Sequence, residues 1–338
     1  MAKKSNDFQS ILSDLKQKVY KPIYLLMGEE PYYIDVISDY IQNNVLTETE
    51  REFNQMVVYG ADVSMREVIN MAKRYPMMSS HTVIIVKEAQ NLDNLDDLNF
   101  YLQKPQETSI LVLCYKYKKV DARKKFVTEI SNKGVLFESK KLYDNQVPAF
   151  IGDYLKKEGL GIEPKAAQML TDFLGANLSN IVNELDKLII SRPQGATLIT
   201  PDLVEKNVGV SKDFNNFELL NALINKDVFK ANQIVFYFEQ NPKSNPLVLT
   251  LTVLFNFFSN LMLYYYIKDK SPSNVAQELG VNPYFVKDYQ TAASKYNAWK
   301  TMEIVSLLRI YDAKSKGIDN SSASDGELMK ELVYKILH

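Results

Sequence analysis

Residues 21–41 read KPIYLLMGEEPYYIDVISDYI, an apolar run that passes through Gly28 into a helical pattern. Positions 22–27 have the continuous apolarity of a strand buried on both faces. Nucleotide-binding α/β domains often place a phosphate-cradling loop at such a strand-to-helix junction. That loop needs several glycines, so that backbone N–H groups converge on phosphate, and then a Lys followed by Ser or Thr. Here Glu29, Glu30 and Pro31 follow Gly28, with no Gly-Lys-Ser/Thr behind them. Two carboxylates at a helix N-terminus suit the helix dipole and repel an incoming phosphate. Pro31 fits a first helical position, where its missing N–H costs little. The junction is a sound turn without phosphate chemistry.

The same reading extends over the first 140 residues. Strands are expected at 22–27, 55–59, 82–87, 109–115 and 135–138, with helices near 32–46, 64–74, 93–103 and 121–132. Short apolar strands separated by amphipathic helices imply a parallel sheet covered on both faces, an α/β domain over 1–140. A P-loop ATPase also carries an acidic pair at the end of a later strand, where an Asp holds Mg²⁺. The corresponding run is VIIVKE at 83–88, which puts Lys87 where that Asp would stand and leaves Glu88 alone. The sheet is that of an ATPase with its nucleotide site lost.

After residue 140 the pattern becomes helical throughout. Helices near 145–158, 164–175 and 179–191 form a small helical domain over 141–210, with Ser179 as an N-cap and Thr200-Pro201 as a further helix start. Residues 211–338 form a larger all-helical domain, with helices at 215–225, 227–240, 246–268, 273–280, 284–297, 301–316 and 325–337. DNSSASDG at 319–326 is a polar loop, and no repeat of fixed period occurs. Residues 246–267 carry no charge and are long enough to span a bilayer. Thr252, Asn256, Ser259 and Asn260 form a polar stripe there, which favours the central helix of a bundle over a membrane span.

Bulk composition narrows the chemistry. The chain has 338 residues, 46% hydrophobic and 24% charged, with a net charge of −1, so any contact with nucleic acid is local or shared with partners. A single cysteine, Cys114, rules out an internal disulfide and a Cys-rich zinc site, and its apolar surroundings place it in the core. The N-terminus lacks an apolar signal core and reads as an amphipathic helix with Phe8, Ile11, Leu12, Leu15 and Val19 on one face, so a cytoplasmic chain is expected. The only histidines are His81 and His338, too few for a triad or a metal cluster. Asp93, Asp96 and Asp97 suit a solvated helix face as well as a metal site. The basic run at 116–125 offers Arg123 as an arginine finger, or simply a solvated loop.

Five stretches, PIYLLMGEEPYYID (22–35), RYPMMSSHTVIIVKEA (74–89), NELDKLII (183–190), NNFELLNALINKDVFKANQIV (215–235) and LLRIYDAKSKG (307–317), occur in an order and spacing that resembles the delta subunit of the bacterial DNA polymerase III clamp loader. The resemblance implies a non-catalytic subunit that grasps and opens the sliding clamp while neighbouring subunits hydrolyse nucleotide. It implies the clamp, the other subunits of a hetero-pentamer and primer-template DNA as partners, with no cofactor, no metal and no membrane. In that family the clamp is held by an exposed hydrophobic wedge just before the third strand, a position that Tyr75, Met77 and Met78 match, with Met-Met where Leu and Phe are common. The last domain would be the collar through which the subunits pack, with its aromatic-rich 236–266 region as interface material, and Lys314 and Lys316 would face DNA. The alternatives are that the two methionines fold back into the core, and that the chain is a scaffold in another complex or a diverged nucleotide-binding ATPase.

Overall fold

The computed structural model describes residues 7–209, 211, 213–320 and 322–338, which fall into two compact units, Met1–Leu142 and Tyr143–His338. The first unit holds five strands, β1 (Ile23–Gly28), β2 (Gln55–Tyr59), β3 (Thr82–Lys87), β4 (Ser109–Lys116) and β5 (Val135–Ser139). All pair in parallel, in the order β2-β3-β4-β1-β5. Each lies within a residue or two of its expected position. Helices α1 (Phe8–Lys16), α2 (Pro31–Asn44), α3 (Glu48–Asn54), α4 (Met65–Ala72), α5 (Leu98–Gln103) and α6 (Lys125–Lys133) cover the sheet.

Strand alternation sorts the core into two layers. Ile23, Leu25 and Met27 of β1 pack with Val68 of α4, Leu102 of α5 and Phe126 of α6. Tyr24 and Leu26 pack on the opposite face with Ile11 and Leu15 of α1 and Ile34 and Ile37 of α2. Each such side chain taken fully from water contributes about 1.5–3 kcal/mol before conformational entropy is subtracted. Cys114 belongs to the second layer, and burial pushes its thiol up to about 12.

Gly28 closes β1 with φ 137°, and a Cβ placed there would lie 2.0 Å from the Ser139 carbonyl oxygen. Only glycine permits that approach, which lets Glu29 donate its N–H to the same carbonyl at 3.0 Å.

Three local expectations change in this unit. Val19 lies beyond α1 and is 43% exposed, because Lys18 turns left-handed and ends the helix. The helix near 93–103 is one 3₁₀ turn, Leu95–Asp97, followed by α5 alone, and the one near 121–132 starts at Lys125. The short helix α3 was not expected. Residues 1–6 of the expected N-terminal helix lie outside the described residues.

In the second unit come α7 (Val147–Lys157), β6 (Gly161–Ile162), α8 (Pro164–Leu174), α9 (Leu178–Ser191), β7 (Leu198–Ile199) and α10 (Pro201–Val208). Strands therefore do not stop at residue 140, since β6 and β7 form a two-residue parallel pair. The N-cap of α9 is Asn177, whose side chain accepts the Asn180 N–H, rather than Ser179. Thr200 caps α10 with Pro201 behind it, as expected.

Helices α11 (Asn216–Asn225), α12 (Val228–Gln240), α13 (Leu247–Tyr266), α14 (Pro272–Leu279), α15 (Val286–Lys295), α16 (Ala298–Ser315) and α17 (Asp325–Leu337) share one core. At its centre α13 packs along α16 and also meets α11, α14, α15 and α17. It is long and apolar enough to cross a membrane, yet Leu251, Leu254, Phe258 and Leu261 are buried against these neighbours. Its buried Thr250 hydroxyl donates to Asn216 Oδ1 at 2.8 Å, which satisfies that polar group inside the bundle. The loop expected at 319–326 ends at Ser324, which caps α17 and takes Asp325 and Gly326 into the helix; its Ser321 lies outside the described residues.

Candidate functional site

Two features of the first unit bear on chemistry: the junction after β1 and the loop between α4 and β3. At the junction, Glu30 is a carboxylate only 4% exposed, and its Oε1 accepts the Tyr32 N–H at 2.9 Å. Burial raises its pKa against the opposing pull of that hydrogen bond and of Lys141. The free amide that would greet a phosphate at this helix start is thus already held by the chain's own acid. Beside it, Lys116 Nζ at the end of β4 pairs with Asp35 at 2.6 Å, and Lys87 Nζ at the end of β3 pairs with Asp39 at 3.6 Å. Asp35 and Asp39 lie one turn apart on α2, so one helix face ties down the ends of two strands. Glu88, the remaining acid, sits left-handed at φ 52°.

The second feature is a tip. Helix α4 ends at Ala72, and residues 73–81 run to β3 without regular structure. Tyr75 is 78% exposed, Met77 63% and Met78 fully exposed, so neither methionine folds back into the core. Met78 holds φ 53°, a left-handed conformation uncommon for a long side chain.

What fixes this loop was not legible in the sequence. Asn54, the last residue of α3, is 1% exposed. Its Oδ1 accepts the Met77 N–H at 2.6 Å, and its Nδ2 donates to the Met77 carbonyl at 2.9 Å and to the Glu50 carbonyl at 3.0 Å. One turn earlier, the Glu50 carboxylate accepts both the N–H and the hydroxyl of Thr47 at 2.8 Å. Those bonds, together with one from the Ser79 hydroxyl, hold Glu50 below the usual carboxylate range. The signal that would have found α3 is Thr47-x-x-Glu50, the spacing of a capping box. No local pattern announces the pairing of Asn54 with Met77 across 23 residues.

The remaining candidates are placed as follows. Arg123 is exposed and grips Asp121 of its own loop, with contacts of 2.7–3.1 Å. Asp97 pairs with Arg66 at 3.3 Å and Asp96 with Lys124 at 2.9 Å. Among the described residues no three His, Cys, Asp or Glu side chains are grouped to hold a metal. His81 lies edge-on to Tyr20 with ring centres 5.4 Å apart, and its Nδ1 is 2.8 Å from the Ser80 hydroxyl; burial lowers its pKa. In the second unit, Lys314 and Lys316 sit at the end of α16, Lys314 Nζ 5.1 Å from the Tyr311 ring centre and Lys316 Nζ 2.7 Å from Asp312. Within 236–266, Phe236, Leu263 and Tyr266 are exposed while Leu251, Phe258 and Leu261 are core.

Residues 24–140, from β1 past β5, match the family model for DNA polymerase III, delta subunit. The DNA polymerase III subunit delta of Bacillus subtilis (strain 168) is 26% identical over 337 residues, covering 95% of this chain and 94% of that protein. The solved structure of a Bacillus subtilis DNA clamp loader delta protein superposes with a TM-score of 0.53 at 22% identity, covering 98% of this chain and 99% of that one. A five-stranded parallel sheet with helices, followed by a helical region, is the fold shared with that solved structure.

Proposed function

This chain belongs to the DNA polymerase III delta-subunit family, and on that premise we propose that it is a non-catalytic clamp-loader subunit that binds and opens the sliding clamp. The observation that carries this reading is the Met77–Met78 tip, two long apolar side chains held out in solvent on a backbone fixed by hydrogen bonds to a buried asparagine. Flexible, polarizable methionines fill a preformed apolar pocket well. Tyr75 flanks them. The protein opens the ring only by as much as it prefers the open state over the closed one. Chemistry at the β1 junction is not needed for this, and the buried Glu30 and the Lys–Asp pairs leave no ready phosphate cradle.

The rest of the assignment follows the same premise. Residues 1–140 are the clamp-binding domain, 141–210 a small lid domain and 211–338 the collar that packs with the other loader subunits in a hetero-pentamer. Lys314 and Lys316 face primer-template DNA in the assembled loader, which works in the cytoplasm.

The test is equilibrium binding of the full chain to its cognate sliding clamp without nucleotide, beside a Met77→Ala/Met78→Ala variant. Anchor residues at interfaces are worth about 2 kcal/mol or more each, so losing both should weaken binding about a thousandfold. Equal binding by both proteins would move the docking site elsewhere. No binding by the parent would favour a scaffold role in another complex.

A further inference from the structure

A buried asparagine next to an exposed apolar loop calls for a reason. Removing a polar side chain from water is unfavourable unless its donors and acceptors are paired, and Asn54 pairs three of its groups. Two of those bonds close on a single residue. The amide of Asn54 meets the N–H and the carbonyl of Met77 as a neighbouring strand would, although its own backbone ends a helix. An apolar residue at 54 would leave both Met77 backbone groups without these partners. Glu50, four residues earlier on the same helix, accepts the other Asn54 Nδ2 hydrogen bond at its backbone carbonyl and so holds the amide in place. Helix α3 therefore grips the loop at Met77, next to Met78.

This grip uses only backbone atoms of the loop. It orders the loop without covering either methionine side chain, which remain 63% and 101% exposed. A loop fixed by packing its apolar side chains would lose the surface it is meant to present. A loop left free would lose affinity through the entropy of ordering it on contact.

From this geometry we infer that Asn54, supported by Glu50, is a positioning residue for clamp docking: it pre-forms the Met77–Met78 tip and does not itself touch the clamp. The inference rests on the reading of the tip given above.

The test combines clamp titration and amide hydrogen exchange on the full chain. Clamp binding is titrated for the parent, Asn54→Ala, Met77→Ala/Met78→Ala and the triple variant. Freeing two or three loop residues should weaken binding by Asn54→Ala roughly tenfold to a hundredfold. In the double-alanine background the same change should add nothing, because no tip remains to position. Amide hydrogen exchange should accelerate at Met77 in Asn54→Ala while Ile84, Ile85 and Val86 of β3 stay protected. Undiminished binding by Asn54→Ala overturns the role and leaves the functional reading intact. Equal losses in both backgrounds, or loss of protection along β3, would reduce Asn54 to a general structural residue and overturn it too. A parent protein that binds no clamp overturns the functional reading, and this role with it.

Discussion

Met78 stores a small strain where the chain meets its proposed partner. A non-glycine residue at φ 53° costs roughly 1–2 kcal/mol, partly offset by the backbone entropy a glycine would bring to the unfolded chain. Met78→Gly is therefore expected to stabilise the fold by about 0.5–1 kcal/mol while weakening clamp binding. Urea melts and clamp titrations on the same protein check both halves; a destabilised variant would show that the strain is not there. Gly28 is the opposite case, where any side chain collides with the Ser139 backbone. Gly28→Ala should destabilise by about 3 kcal/mol or more in thermal or denaturant melts, since neither φ 137° nor the 2.0 Å contact can relax cheaply. At this scale sequence reading reached the methionines only through their place in a family pattern. It could not reach Asn54, because an amide that pairs with a peptide 23 positions away leaves no periodic trace.

Helix α2 begins on a buried acid. Its N-cap acid, Glu30, has its pKa raised by burial, so between the unfolded value and the raised one the folded chain binds more protons than the unfolded chain. The sign follows: stability falls as pH rises through that window, and the penalty of a buried negative charge is absent below it. Glu30→Gln keeps an oxygen for the Tyr32 N–H and removes the charge. It is expected to raise the melting temperature at neutral pH relative to the parent, with the gap closing as pH falls below the ordinary carboxylate range. A gap that persists in acid would mean that charge is not the cause. Strands and long helices were legible because alternation and helical spacing come directly from which side chains meet the core. The pieces missed were too short for a period to show: α3 at seven residues, and the two-residue pair β6–β7. Asn177 displaced Ser179 as a cap because both residue types cap well, and only the observed backbone chooses between them.

At the scale of the molecule, two compact units with separate cores should each fold independently. Residues 1–142 produced alone are expected to fold and to retain most of the clamp affinity of the full chain, and residues 143–338 to fold without binding the clamp. Circular dichroism and clamp titration of each fragment check this, and clamp binding by the second fragment would contradict it. The strand order carries one more consequence. β1 is made first but sits between β4 and β5, so its hydrogen bonds wait for residues 109–139. At a synthesis rate of roughly 5–20 residues per second, the interval from residue 23 to residue 139 lasts about 6–23 s. For roughly the first 5–19 s of that time, until β4 is made, this strand, buried at every position, has neither neighbour, and the nascent chain is expected to need shielding at the ribosome exit.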